Sequence, residues 1–385
     1  MYDEDQFLLF QDYIGMYIEK GIPTIPSDIA FWMVRSKSGY FYEEFRKNEY
    51  MAIGWNCIEK HTDLNSSALP EILVQNHDFV KKDKRQIKII INKCNAFINE
   101  MKENDIVLIP KKSSSEIMVA LVGAYYEDSQ KTCDDENKIN HEIDTVHEEP
   151  FRGDCPYKKR RKIKILRIVT PEKINFHLMQ ALKNYNGIAD ISKYSTDILN
   201  LVFDFYIFKE NLFYAFEVNR KERIPLKYIV SLLAGTSEYF NHKVEEDKVK
   251  IKVNLNSPGT IEIMIEQIQT LIAQYGVGIV IIFAAFVLVG NICTKVDFPK
   301  RILDMITIPS RYRMQRMEEE KMRLSLDKEK KEWELLRNSL NQEDERTLVL
   351  LLEANQQLEI EAKEKDLAEN AKDNLEVFHP DKDNG

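Results

Sequence analysis

The sequence predicts an α+β protein: a small β-barrel domain, a second small α+β domain, one hydrophobic helix that is a transmembrane candidate, and a long charged C-terminal helix. Three observations carry this prediction. Short strand-like runs between Phe31 and Val169 enclose one amphipathic helical stretch, the run Gly276–Cys293 has no charged side chain, and the chain beyond it is rich in charge with almost no Gly or Pro. A length of 385 residues fits two or three units at about 150 residues each. With 44% hydrophobic and 30% charged residues the chain can build a core, which excludes a wholly disordered or collagen-like protein. A net charge of -9 argues against broad, non-specific attraction to nucleic-acid phosphates, although it leaves room for a local basic groove.

The elements follow in order. Residues 1–27 form a lead, with a helix predicted from Asp5 to Lys20 and ended by Gly21 and Pro23. Residues 28–169 carry the barrel strands Phe31–Val34, Asp105–Pro110, Met118–Tyr126 and Lys162–Val169. Between the first two, Ile87, Ile90, Ile91, Cys94, Phe97, Ile98 and Met101 recur at helical spacing. The acidic, apolar-poor segment 127–150 reads as a long, disordered surface loop. Residues 170–255 read as the second domain: a helix opened by Pro171 and Glu172, a hairpin of Phe203–Phe208 and Leu212–Val218, a helix after Pro225, and a strand in which Lys248, Lys250 and Lys252 alternate with Val249, Ile251 and Val253.

Residues 260–275 are predicted as an amphipathic helix, because Ile261, Met264, Ile265, Ile268, Leu271, Ile272 and Tyr275 share one face. The run 276–293 follows at once. Eighteen residues at about 1.5 Å each span roughly 27 Å, close to the thickness of a hydrocarbon core. Two readings stand: a membrane span, or a helix buried in a protein core or oligomer. Residues 295–372 read as charged helix with weak heptad spacing (Leu326, Trp333, Leu340), and 373–385 as a disordered tail. Five unpaired-looking cysteines and an acidic N-terminus point to a reducing, cytoplasmic setting. His379-Pro380-Asp381 matches a co-chaperone tripeptide, but the chain stops four residues later and the match reads as coincidence.

The most specific pattern lies in FWMVRSKSGYFYEEFRKNEYMAIGW, residues 31–55, with Trp32, Val34, Arg35, Gly39, Tyr40, Ile53, Gly54 and Trp55 at its marked positions. It continues through NAFINEMKENDIVLIP and MVALVG to the basic run KKRRKIKIL. This pattern resembles the EVE-like, PUA-related N-terminal domain of Mrr-type restriction proteins. The resemblance implies a small barrel that binds nucleic acid, with a modified base held out of the duplex in an aromatic pocket. Trp32, Arg35, Tyr40 and Trp55 are the residue types such a ligand site needs: aromatic faces to stack on and a donor for the base edge. For the two tryptophans a core role is the competing reading. Lys84, Arg85, Lys159, Arg160 and Arg161 are the candidate phosphate contacts, with solvated faces as their alternative.

Enzymatic motifs are sparse. A nuclease of the restriction type would place a carboxylate beside Glu-x-Lys on a strand, and the nearest approach is Asp204 with Glu217, Val218 and Asn219, where Asn stands in place of Lys. Cys133, His141, His147 and Cys155 lack the paired spacing of zinc ligands, so neither a metal nor another cofactor is assigned. The expectation is therefore a membrane-associated antiphage sensor-effector on the cytoplasmic side of the inner membrane. Its EVE-like domain would bind nucleic acid or a nucleotide-like ligand, and it would form a homo-oligomer through its hydrophobic and C-terminal helices. The alternatives are a soluble oligomeric adaptor that recruits a separately encoded enzyme as partner protein, and a degenerate nuclease.

Overall fold

The computed structural model describes residues 21–74, 82–145, 154–184, 187–218, 226–240, 243–254 and 259–289, together with Thr347, Leu350, Leu351, Ile360 and Glu361. The predicted lead helix, the tail 373–385 and most of 295–372 lie outside these residues. In chain order the strands are β1 (Thr24–Ile25), β2 (Phe31–Val34), β3 (Tyr50–Ile53), β4 (Ile106–Pro110), β5 (Ile117–Glu127), β6 (Lys159–Val169), β7 (Ile188–Asp190), β8 (Phe205–Phe208), β9 (Asn211–Val218), β10 (Val249–Asn254), β11 (Gly259–Ile265) and β12 (Ile360–Glu361). The helices are α1 (Tyr42–Asn48), α2 (Leu69–Val74), α3 (Lys84–Asn95), α4 (Cys133–Thr145), α5 (Phe176–Asn184), α6 (Ser195–Leu199), α7 (Leu226–Phe240), α8 (Ile268–Tyr275) and α9 (Gly278–Val289).

The chain divides into two compact units, one of them spanning Asp28–Val202. Its sheet has the order β3-β6-β5-β4-β2-β7, with β2 and β4 parallel and the other neighbours antiparallel. The predicted closed barrel is not formed: among the described residues β3 and β7 are unpaired edges, and the architecture is mixed α/β with two open sheets. The physical reason lies in α3. Its capping box of Asp83 and Gln86 fixes the start, and Ile87, Ile90, Ile91 and Cys94 pack into the same core as Val34, Ala52, Val107, Ala120 and Ile163. A helix thus covers the sheet face that opposing barrel strands would cover. The unit also runs past residue 169, because the three-residue β7 adds an antiparallel edge to β2. A strand that short leaves little period for a sequence reading to detect.

Residues 133–145 of the acidic segment are helical, against the expected loop. The helix α4 is amphipathic enough to bury Ile143 and Glu136.

The second unit holds the sheet β1-β8-β9-β11-β10, with β12 also on β9. The hairpin of β8 and β9 stacks Phe205 on Tyr214 and Tyr206 on Phe213 in antiparallel register. Only the second half of the predicted amphipathic helix is helical. In β11, Ile261, Ile263 and Ile265 are buried while Glu262 and Met264 are half-exposed, a period of two that competes with the helical one. Gln267, at φ 54°, marks the change to α8.

The expected membrane span is likewise corrected. Among the described residues no helix is long and apolar enough to cross a membrane. The 12 residues of α9 extend only about 18 Å, against roughly 30 Å of hydrocarbon. Ile279 through Ala284 are fully buried. Phe283 meets Tyr214, Tyr239 and Phe240 at ring-centroid distances of 4.9, 5.3 and 4.8 Å. The Tyr214 hydroxyl donates to the Val280 carbonyl (3.0 Å) and the Tyr239 hydroxyl to the Ile279 carbonyl (2.8 Å). A helix that is apolar all round belongs either to a bilayer or to a protein centre, and here aromatic rings of the sheet (Tyr214) and of α7 (Tyr239, Phe240) supply the centre. The charged region 295–372 also departs from continuous helix, since Ile360–Glu361 pairs with Val218 and Glu217 as a strand.

Phe283→Ala should lower the unfolding free energy by about 3–5 kcal/mol in urea denaturation, as expected for an aromatic residue removed from a packed core. A lipid-facing residue would leave the stability of this unit unchanged.

Candidate nucleic-acid interface

The basic run on β6 places Lys159, Arg161 and Ile163 on one face, and all three are buried. Burying a cation is costly without partners, and backbone carbonyls supply them. The Lys159 ammonium donates to the carbonyls of Trp55 (2.6 Å) and Ile58 (2.8 Å). Burial, the largest influence on it, pulls its pKa below the ordinary lysine value. Arg161 donates to the carbonyls of Phe97 (2.8 Å), Ile98 (3.2 Å), Met101 (2.6 Å) and Gly123 (3.2 Å). Two of these carbonyls, from Phe97 and Ile98, lie in the π-helical turn Ala96–Glu100 that continues α3, whose end would otherwise leave acceptors unsatisfied. Arg160 donates to the carbonyls of Tyr157 (3.0 Å) and Cys155 (3.1 Å), pairs with Asp128 (3.1 Å), and covers the Tyr50 ring at 4.5 Å. The three cations expected to meet phosphate from this strand are thus directed at the protein itself. Lys84 and Arg85, in contrast, are exposed on the first turn of α3, where Lys84 pairs with Glu71 at 3.2 Å, and Lys88 is exposed one turn on.

The two tryptophans separate. Trp32 is 5% exposed, and its Nε1 donates to Asp105 Oδ2 at 2.8 Å. Asp105 also accepts from the backbone N–H groups of Ala30 and Lys102, so Trp32 belongs to a core-edge network. Trp55 lies half-buried in the loop after β3, at φ 60°. A bulky residue held there costs about 1–3 kcal/mol and persists only where its surroundings enforce it. The enforcement is visible: the buried Lys159 ammonium holds the Trp55 carbonyl from beneath, while Glu136 of α4 accepts from Trp55 N–H through Oε1 and from Asn56 N–H through Oε2, each at 2.6 Å. Asn56 is buried and donates to the carbonyls of Thr132 and Pro156, both at 2.8 Å.

Lys93 is the residue that the sequence reading missed. Its ammonium lies 5.9 Å from the Trp55 ring centroid and 3.0 Å from where a Cβ on Gly187 would stand. Gly187 has φ 80°, and its carbonyl accepts from the Arg35 N–H at 2.9 Å. Burial lowers the pKa of Lys93 first of all, against a smaller opposing influence from Cys94. Of the predicted ligand residues, then, Trp55 lies beside Lys93, and Arg35 is joined to that place only through the backbone of Gly187. The Arg35 guanidinium is half-buried and donates to the carbonyls of Leu182 and Lys183 at the end of α5. Tyr40 is half-buried after the turn Lys37–Gly39, which rests against Lys112.

For the nuclease alternative, Asp204 and Glu217 are both buried. Asp204 lies opposite Ala215, so Glu217 sits diagonally on the same sheet face. Among the described residues no group of three or more His, Cys, Asp or Glu side chains is placed to hold a metal. His147 lies outside these residues, while Cys155 is buried and reduced.

A family model described as a domain of unknown function, DUF8426, matches residues 32–175. Comparison with curated proteins and with solved structures gives no match. The matched span runs from β2 through β6 and includes every predicted ligand and phosphate residue of this unit.

Replacing Arg161 with Met should cost about 3 kcal/mol or more in urea denaturation, because several buried carbonyls lose their donor at roughly 1–3 kcal/mol each. A residue used only for phosphate would leave stability unchanged.

Proposed function

We propose that the unit 28–202 is a recognition module for nucleic acid or a nucleotide-like ligand, with Trp55 as its stacking platform. The observation that carries this reading is Trp55 itself: an aromatic ring left half-buried, held in a left-handed backbone over the buried Lys159 ammonium, with the Lys93 ammonium beside it. Backbone strain of this kind clusters at ligand clamps and active sites, and every base has a face to stack on. Exposed Lys84, Arg85 and Lys88, on the first two turns of the helix that carries Lys93, add a positive field that attracts phosphates to the unit. The resemblance to restriction-protein N-terminal domains supports the ligand class and an antiphage setting. The membrane-effector half of the expectation rested on a span that is a core helix, and it forms no part of this reading.

Fluorescence anisotropy with single-stranded DNA tests the proposal. Trp55→Ala should weaken binding by about 1–3 kcal/mol per stacked base, and Lys84→Ala with Arg85→Ala should flatten the salt dependence. Equal affinity of Trp55→Ala and the parent protein would overturn it.

A further inference from the structure

The N–H groups of Trp55 and Asn56 are adjacent in the chain, point at one place, and straddle a left-handed residue. Successive N–H groups in such a conformation form a concavity suited to an anion. Its present occupant is the chain's own: both oxygens of Glu136 sit at 2.6 Å from these nitrogens. The backbone beside it is bare, since a Cβ on Gly54 would stand 2.3 Å from Glu136 Oε1. Lys159 is buried under the same loop, held to the Trp55 carbonyl. The helix bearing Glu136 carries Asp134, Asp135, Glu136, Glu142 and Asp144 against the single Lys138, and Asp134 and Asp135 are exposed at its start. An acidic helix therefore lies over the loop that would meet a polyanion.

We infer that the Trp55–Asn56 amide pair is a binding site for a phosphate group, and that Glu136 occupies it as an internal competitor which the phosphate must displace. This rests on the reading of Trp55 as the recognition platform, and it assigns the ligand's anionic part a place beside that ring. Carboxylate and phosphate both accept two parallel N–H donors, so α4 closes the site with chemistry matching its ligand. Binding strengthens when the internal competitor is removed, because the competent state is no longer only fractionally populated.

Calorimetric titration of the full chain with inorganic phosphate, referenced to chloride at equal ionic strength, tests this. Glu136→Ala should bind phosphate at least about tenfold more tightly than the parent. Adding Gly54→Ala should abolish the gain by filling the cradle. Because the probe has no base, Trp55→Ala in the Glu136→Ala background should keep the gain; loss of the stacking reading alone would therefore leave this result intact. A folded Glu136→Ala protein without the gain, or a gain that survives Gly54→Ala, would overturn the inference. Should Glu136→Ala fail to fold, hydrogen exchange on the parent decides: phosphate should speed exchange across α4 relative to chloride, and equal rates would overturn it.

Discussion

Lys159 donates its buried ammonium to the carbonyls of Trp55 and Ile58, and the loop after β3 takes its shape from that contact. Without a cation beneath it, the loop would bring two carbonyls into a core that offers no water. With one, the chain turns sharply enough to set Trp55 at positive φ and to aim two N–H groups at Glu136. Arg161, two residues along the same strand, does equivalent work at the end of α3 by gathering four carbonyls. One inward-facing basic strand thus ties the β3 loop, the π-helical turn and the edge of β5 to a single sheet.

The second unit solves a different problem with aromatic hydroxyls. An apolar helix has backbone carbonyls but no polar side chains, and it can sit in a protein centre only if the packing around it is dense. Tyr214 and Tyr239 pack their rings against Phe283 and direct their hydroxyls at the carbonyls of Val280 and Ile279. The apolar helix therefore depends on both Tyr214 of the hairpin and Tyr239 of α7.

The hairpin of Phe205–Phe208 and Asn211–Val218 was legible from two aromatic-rich runs about one short polar turn, and Val249–Asn254 from the alternation of lysines with Val and Ile. Where two periods coexist, as at Ile261, Ile263, Ile265 and Ile268, sequence favoured the helix and the sheet won the first half. The hydrophobic run 276–293 was ambiguous in principle, since lipid and aromatic core impose the same composition. At the site, Trp32 and Trp55 looked alike. What separates them is distant in sequence: Asp105 takes the indole N–H of Trp32, and Glu136 takes the backbone of Trp55. The basic run was read by charge when its alternation was the better guide, because Lys159 and Arg161 share the inward face with Ile163. Lys93 carried no signal beyond its place on α3; Gly187 is what brings it to Arg35.

If Trp55 stacks a base as proposed, the inward-facing cations of β6 take no part in the contact. Photocross-linking of a thiopyrimidine-substituted oligonucleotide to the intact protein, followed by peptide mapping, tests this most directly. Stacking on Trp55 requires a cross-link in the peptide that contains it. A cross-link confined to the Lys158–Lys164 peptide, with none at Trp55, would contradict it.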